Sequence, residues 1–372
     1  MELLREYRSK ELAERVVKVI HKLYDEISST RRSIKIMSFC GTHEHTIVRY
    51  GIRSLMPEGI ELIAGPGCPV CITPADVIEA AAKISLEGIR VYTYGDLYRV
   101  PGINLSLAQA RAQGGDVIVV YSFMDAIRLA KENRRESVFV AVGFETTQPS
   151  VASRLVKGEV PPNLKLLIAY RLTPPILKYI LSQGEVPLDG IIAPGHVSTI
   201  VGSNAWAFAA NEYGKPTVVA GFEPLDILIA VLEILKQIRL GKPCLHNEYT
   251  RAVSPEGNRI ALRYIYEAFE ITEGLWRGIG FVPDSALRLK EPYTMYDAER
   301  EYGLEIGRKD YLRPGCRCGD VIVGKAKPTD CPLFMKLCTP TRPYGPCMVS
   351  SEGTCAIWAK YGGVAYLREF TL

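Results

Sequence analysis

The sequence lacks a long apolar run. Its longest, Leu225 to Leu235, is interrupted by Asp226 and Glu233, whereas a spanning helix needs roughly 20 mostly apolar residues. No membrane association is expected. Charge of one sign is not in excess either: Lys plus Arg is 45, Asp plus Glu is 41, and the net charge is +4. That balance argues against a nucleic-acid partner, which a strongly basic face would signal. There is no G-x-x-x-x-G-K-[ST] loop and no G-x-G-x-x-G after a strand pattern, so ATP or NAD binding has no support. No serine nucleophile elbow occurs. The segment Met1 to Arg15 is charged and helical in pattern, unlike a signal peptide, and a cytoplasmic location is expected. The apolar share of 47% and charged share of 23% exclude a disordered chain.

The sequence is rich in glycine (32), proline (24) and cysteine (10). In a reducing compartment ten thiols are poor staples and better explained as metal ligands or redox groups. They are unevenly placed. Cys40, Cys68 and Cys71 lie early, Cys244 stands alone, and Cys316, Cys318, Cys331, Cys338, Cys347 and Cys355 share a short late stretch.

At about 150 residues per domain, 372 residues suggest two or three domains. Glu2 to Ser28 reads as a helix with apolar positions at Leu12, Val16, Val19 and Leu23. Short apolar runs then alternate with helical patterns. The first set is Ile34 to Phe39, Ile60 to Ala64, Arg90 to Tyr94 and Asp116 to Tyr121. The second is Val138 to Val142, Leu166 to Ala169, Gly190 to Ala193 and Thr217 to Ala220. This is the pattern of βαβ units and a mostly parallel sheet. The two sets read as an internal repeat, giving two similar Rossmann-like α/β domains whose loops face a cleft. Leu225 to Leu240 is a helix opened by Pro224 and stopped by Gly241 and Pro243. The expected division is an N-terminal helix (1–30), a first α/β domain (31–130), a second (131–240) and a loop-rich C-terminal domain (241–372) held by a metal centre.

Four motifs carry chemistry. Cys40-Gly-Thr-His43-Glu44-His45 follows a strand and opens a helix, with Thr42 as its expected N-cap; a thiol there should lose its proton more easily. Gly65-Pro-Gly-Cys68-Pro-Val-Cys71-Ile-Thr73-Pro74 also leads from strand to helix, with Thr73 as N-cap, Pro74 at N1 and Asp76 at N3. The Cys68-x-x-Cys71 pair can bind a metal or form a reversible disulfide. Three thiolates with an open position suit a transiently held soft metal such as Fe(II) or Cu(I). Loops of the second set offer Glu145, Thr146, Thr147 and His196, each equally readable as a cap or a hydrogen-bonded loop residue. Tyr94-Gly95-Asp96 with Arg99 either lines the same cleft or forms a surface ion pair. The late cysteines lie among Pro332, Pro340, Pro343 and Pro346. Four thiolates hold zinc or an Fe–S cluster, and the absence of tight Cys-x-x-Cys knuckles favours the cluster. Cys244 and His246 receive no role.

Over essentially its whole length the chain resembles the HypD family of hydrogenase maturation proteins. The resemblance rests on Cys40-Gly-Thr-His-Glu-His, Gly65-Pro-Gly-Cys-Pro-Val-Cys71, Gly143-Phe-Glu-Thr-Thr147, Pro194-Gly-His196 and Gly345-Pro-Cys-Met-Val-Ser-Ser-Glu-Gly-Thr-Cys355. It implies assembly of the iron site of [NiFe] hydrogenases in a complex with HypC and HypE, the chain otherwise being a monomer. Cyanide, carried by HypE as a thiocyanate made with HypF, and carbon monoxide would be attached to the iron. It implies Cys40 as an iron ligand shared with a HypC cysteine and Cys68 and Cys71 as a redox pair. His43 and His45 would aid ligand transfer by hydrogen bond or proton donation. It also implies one [4Fe–4S] cluster, on Cys316, Cys331, Cys338 and Cys355, in a region similar to that of ferredoxin–thioredoxin reductase, with Cys318 and Cys347 as a nearby dithiol. Two other readings compete: a cluster-dependent thiol–disulfide reductase, which leaves Cys40 and the histidines idle, and a zinc-stabilised binding module.

Overall fold

In the computed structural model, which describes residues 6–29 and 33–362, the eight apolar runs form eight strands. They are β1 (Ile34–Ser38), β2 (Ile60–Ala64), β3 (Arg90–Tyr94), β4 (Val117–Val120), β5 (Ser137–Gly143), β6 (Leu164–Tyr170), β7 (Gly190–Pro194) and β8 (Thr217–Ala220). Every residue of β5, β7 and β8 is buried. That is why these segments read as continuous apolar runs: helices cover both faces of a parallel sheet.

The strands sort into two parallel sheets, but not by the expected boundary. The first sheet has the order β2–β1–β7–β8, extended by β9 (Leu245–Asn247). The second has the order β4–β3–β5–β6. The chain thus leaves the first unit after β2, builds the whole second unit from β3 to β6, and returns with β7. The expected division into 31–130 and 131–240 cuts across both sheets. The repeat is real but nested: within each sheet the order is 2-1-3-4 in chain sequence. β1 therefore corresponds to β3, and β7 to β5. Alternation of apolar and turn segments reports the strands, while adjacency is set by which faces can be buried together.

In each sheet the strand order reverses between the two central strands, which opens a crevice at their C-terminal ends. In the first sheet this point lies between the loops Phe39-Cys40-Gly41 and Pro194-Gly195-His196. In the second it lies between Tyr94-Gly95-Asp96 and Gly143-Phe144-Glu145.

The N-terminal helix runs from Lys10 to Ser28, with Ser9 as N-cap accepting from the Leu12 N–H. It buries Ile20, Leu23 and Ile27, whereas Leu12 and Val19, expected on the inner face, are exposed. Together with the helix Pro224–Leu240 it covers one face of the first sheet, packing on Ile34, Ile36 and Ile192. The opposite faces alternate, as strand geometry requires. Met37 and Ile191 of the first sheet and Val91, Val138, Val140 and Leu167 of the second share one core.

The last third is less irregular than its composition suggests. Arg259–Ala268 is a helix, followed by a hairpin of β10 (Phe269–Trp276) and β11 (Gly280–Leu289). The hairpin packs on the second unit, where the Leu172 N–H donates to the Ser285 carbonyl (2.9 Å). Only beyond it does the chain become loop-rich, with short helices at Cys318–Ile322 and Thr354–Tyr361.

This terminal region docks through polar contacts, one set buried at Glu44 and another exposed at Asp96 and Arg99. Glu44, 1% exposed, accepts from Trp358 Nε1 (2.7 Å) and from the Arg53 guanidinium (2.7 Å). Asp96 accepts from the Ser350 hydroxyl (2.9 Å), and Arg99 donates to the Thr341 carbonyl (3.3 Å). Asp96 and Arg99 therefore hold the terminal region rather than pairing with each other. Trp358→Phe removes one donor from the buried Glu44 carboxylate and is expected to cost about 1–3 kcal/mol. Urea unfolding measures this, and an unchanged midpoint would refute the docking role.

Candidate functional site

Cys40 is the N-cap of the helix Gly41–Arg49, two residues earlier than the expected cap Thr42. The thiol is buried, and burial pushes it up to about 11, aided by Glu352 and opposed by the N–H groups of His43 and Thr42. The expected acidification by the helix N-terminus is thus outweighed by desolvation.

Cys68 and Cys71 are joined as a disulfide, with Cα atoms 5.4 Å apart. Both cysteines are buried: Cys68 is 4% and Cys71 0% exposed. The helix after them, Ala75–Leu86, is capped by Pro74 rather than by Thr73. The Thr73 hydroxyl donates to the Pro69 carbonyl (2.9 Å), and Asp76 accepts from the Arg308 N–H (3.1 Å). This loop and Cys40 touch backbone to backbone. The Gly41 N–H donates to the Gly67 carbonyl (3.3 Å), and a Cβ on Gly67 would stand 2.5 Å from Cys40 Cα. Only glycine fits there.

His43 is fully buried. Its Nε2 lies 3.1 Å from the Ala220 carbonyl oxygen. A carbonyl only accepts, so Nε2 carries the proton and Nδ1, buried and without a partner, carries the lone pair. Burial holds the imidazole down at about 4. At neutral pH it can accept a hydrogen bond at Nδ1 but has no proton to give there, which revises the expected donor role. Phe222 lies between this ring and His196, with centroids 5.0 and 3.8 Å away. The first sheet's switch point thus gathers Cys40, His43 and His196. His45 faces elsewhere, edge-on to Tyr361 at 4.9 Å.

Glu145 and Thr146 belong to the second sheet's switch point. Thr146 is exposed. Glu145 accepts from the Thr173 N–H (2.7 Å) and hydroxyl (3.1 Å), so it serves the start of the helix Thr173–Gln183. Thr147 bonds back to the Phe144 carbonyl (3.1 Å). The link from this loop to the thiols runs through Phe144, stacked on Trp276 at 5.8 Å, and the Arg277 N–H, which donates to the Ile72 carbonyl (2.9 Å).

All six late thiols line one small pocket with Leu333, Phe334, Gly345 and Met348. A Cβ on Gly345 would stand 2.6 Å from Cys316 Sγ. Cys318 hydrogen-bonds to Cys316 and Cys347, and Cys355 to Cys347. These bonds bring Cys316 down to about 7 and hold Cys347 well below the ordinary thiol value, while the donors Cys318 and Cys355 are pushed up. Backbone N–H groups point at sulfur from Tyr344 to Cys338 and from Cys355 to Cys347, both at 3.3 Å. A soft, apolar-walled thiol cage with N–H···S bonds fits an iron–sulfur cluster. Cys244 is exposed and far in sequence from either centre.

The two thiol centres adjoin. Glu352, between Cys347 and Cys355, packs so closely on Gly41 that a Cβ there would meet its carbonyl oxygen at 2.5 Å. Sequence reasoning missed Glu352, Phe222 and Arg277; only Glu352 carried a signal, lying inside the late cysteine run.

The HypD family profile, described as "Hydrogenase formation hypA family", matches residues 11–362. Hydrogenase maturation factor HypD of Cupriavidus necator is 42% identical over 374 residues, covering 97% of this chain and 97% of that protein. The factor of the same name from Rhizobium leguminosarum bv. viciae is 43% identical, covering 97% and 96%. That of Rhodobacter capsulatus is 41% identical, covering 98% and 99%.

Burial raises Glu145 from its ordinary value to about 7. The native state then keeps a proton that the unfolded chain releases, and stability falls as pH rises from about 4.5 to about 7. Glu145→Gln removes that charge. It is expected to gain about 2.5 kcal/mol relative to the unaltered protein between pH 5 and pH 8. Equal differences in urea unfolding at both pH values would refute this.

Proposed function

The chain belongs to the HypD family of hydrogenase maturation factors, and we propose that it is the scaffold on which an iron atom receives its diatomic ligands. Iron is the cargo. Cys40 supplies one thiolate to it, and a cysteine of HypC supplies another. Cyanide arrives from HypE as a thiocyanate, and carbon monoxide completes an Fe(CN)2CO group.

One observation carries this reading. Cys40 lies in backbone contact with the Cys68–Cys71 loop on one side, and its neighbour Gly41 packs on Glu352 of the Cys347–Cys355 loop on the other. A metal-binding thiol and two redox-capable sulfur sets therefore share one location. Release of cyanide from a thiocyanate consumes two electrons. Oxidation of the Cys68 and Cys71 thiols to a disulfide supplies two electrons and two protons, leaving the free thiol of the carrier and cyanide for the iron. The structure carries the pair in that oxidised form.

The high pKa of Cys40 means that binding a cation, not the helix terminus, drives its deprotonation. His43 accepts at Nδ1 and can orient a donor beside the cargo. His196 and Phe222 fix the other wall. In the late pocket, Cys316, Cys331, Cys338 and Cys355 are the proposed ligands of a [4Fe–4S] cluster. Cys318 and Cys347, hydrogen-bonded to each other, are the proposed dithiol. The cluster, when bound, supplies single electrons. A free-standing thiol–disulfide reductase is the poorer fit, because it leaves Cys40 and His43, which adjoin the Cys68–Cys71 loop, without a role.

Iron, acid-labile sulfide and zinc are to be measured on protein purified without oxygen. About four iron and four sulfide per chain are expected, and zinc without sulfide would overturn the cluster assignment. In the complex with HypC, Cys68→Ala is expected to abolish the infrared bands of iron-bound cyanide while leaving sulfide content unchanged. Retained bands would sink the electron-supplying role of the pair.

A further inference from the structure

The tip of the β10–β11 hairpin carries a charge that no carboxylate pairs. Arg277 is 1% exposed. Its Nη1 donates to the Pro101 carbonyl (2.8 Å) and its Nε to the Tyr311 carbonyl (3.0 Å). Nη2 is buried and has no hydrogen-bond partner. Among the described residues no ion pair to this guanidinium is formed. An arginine cannot discharge as a buried lysine can, so its interior position calls for a nearby anion.

Backbone contacts put the hairpin tip beside both sets of thiols. Gly278 presses on Gly319, the residue after Cys318: a Cβ on Gly319 would meet the Gly278 carbonyl oxygen at 2.2 Å, and one on Gly278 would meet Gly319 Cα at 2.8 Å. The Arg277 N–H donates to the carbonyl of Ile72, the residue after Cys71. The hairpin tip is therefore wedged between the disulfide loop and the six-thiol pocket. Burial works against the guanidinium charge. The groups whose negative forms support it are first Cys318 and Cys316, then Asp310, with Arg313 opposing. Asp310 is exposed and accepts from the Gly278 N–H (2.9 Å).

We propose that Arg277 is the counter-charge of the six-thiol centre and sets how readily that centre accepts an electron. This rests on the reading that the pocket holds an iron–sulfur cluster. One electron from an external reductant makes such a centre one charge more negative, with no bond formed or broken. A fixed cation nearby, shielded from water, favours that state; net charge and hydrogen bonding to sulfur are the levers that set cluster potentials.

The test is a redox titration with dithionite on full-length protein purified without oxygen, with iron and sulfide measured on every variant. Arg277→Gln keeps an amide donor for the carbonyls and loses the charge. It is expected to shift the reduced-to-oxidised ratio about tenfold towards oxidised at a fixed potential, or about 59 mV for one electron. Arg277→Lys and Asp310→Asn are expected to leave the potential essentially unchanged. The proposal is overturned if Arg277→Gln carries full iron and sulfide at an unshifted potential, or if Asp310→Asn shifts it as far as Arg277→Gln does. Should Arg277→Gln fail to fold, Arg277→Lys decides: an unshifted potential supports the counter-charge, and a tenfold shift with the charge retained overturns it. Zinc without sulfide in the unaltered protein would overturn the cluster reading itself and this inference with it. In Arg277→Gln, an intact cluster with an unshifted potential overturns this inference alone.

Discussion

Everything at the thiol centres depends on backbones that touch with no side chain between them. Gly67 lies on Cys40, Gly41 on Glu352, Gly278 on Gly319, and Gly353 on the Cys347 carbonyl, each so close that a Cβ would come within 2.8 Å of a backbone atom. Side chains would force these segments apart by about the width of a methylene. Sulfur chemistry depends on separations of that size, so the glycines fix the site as firmly as the cysteines supply it.

Burial is the second constraint, and it makes the site inert until something binds. Cys40 is held protonated, His43 neutral and Cys68–Cys71 closed away from solvent. In a low-dielectric interior a charge persists only with a partner. A metal ion entering beside Cys40 would be such a partner, coupling deprotonation to loading. In the late pocket the thiols answer the same constraint by hydrogen-bonding to one another, each shared proton lowering one sulfur and raising its neighbour.

The legibility of the fold was uneven for a physical reason. All eight central strands were readable, because segments buried on both faces must be apolar along their length. The helix Pro224–Leu240 was readable from its Pro start and its left-handed Gly241 stop. The assignment of strands to sheets was not, since apolar periodicity says a strand is buried and not beside which other strand. Hence the repeat was seen but divided at the wrong place: β1 and β2 share a sheet with β7 and β8, not with β3 and β4. The β10–β11 hairpin was hidden among Gly and Pro because half its residues face solvent or the second unit rather than a common core.

The sequence by itself determined the chemistry available: which residues carry sulfur or imidazole, which follow strands, and which family the motifs belong to. These are local properties, written in residue type and spacing. Only the tertiary structure decided how that chemistry is used. It closed Cys68 and Cys71 into a core, turned His45 towards Tyr361, and gave Glu145 to the start of the helix Thr173–Gln183. It also drove Arg277 between the disulfide loop and the thiol pocket. Those outcomes depend on contacts between segments far apart in the chain, where desolvation and close packing outweigh local preference. No window of the sequence contains both partners.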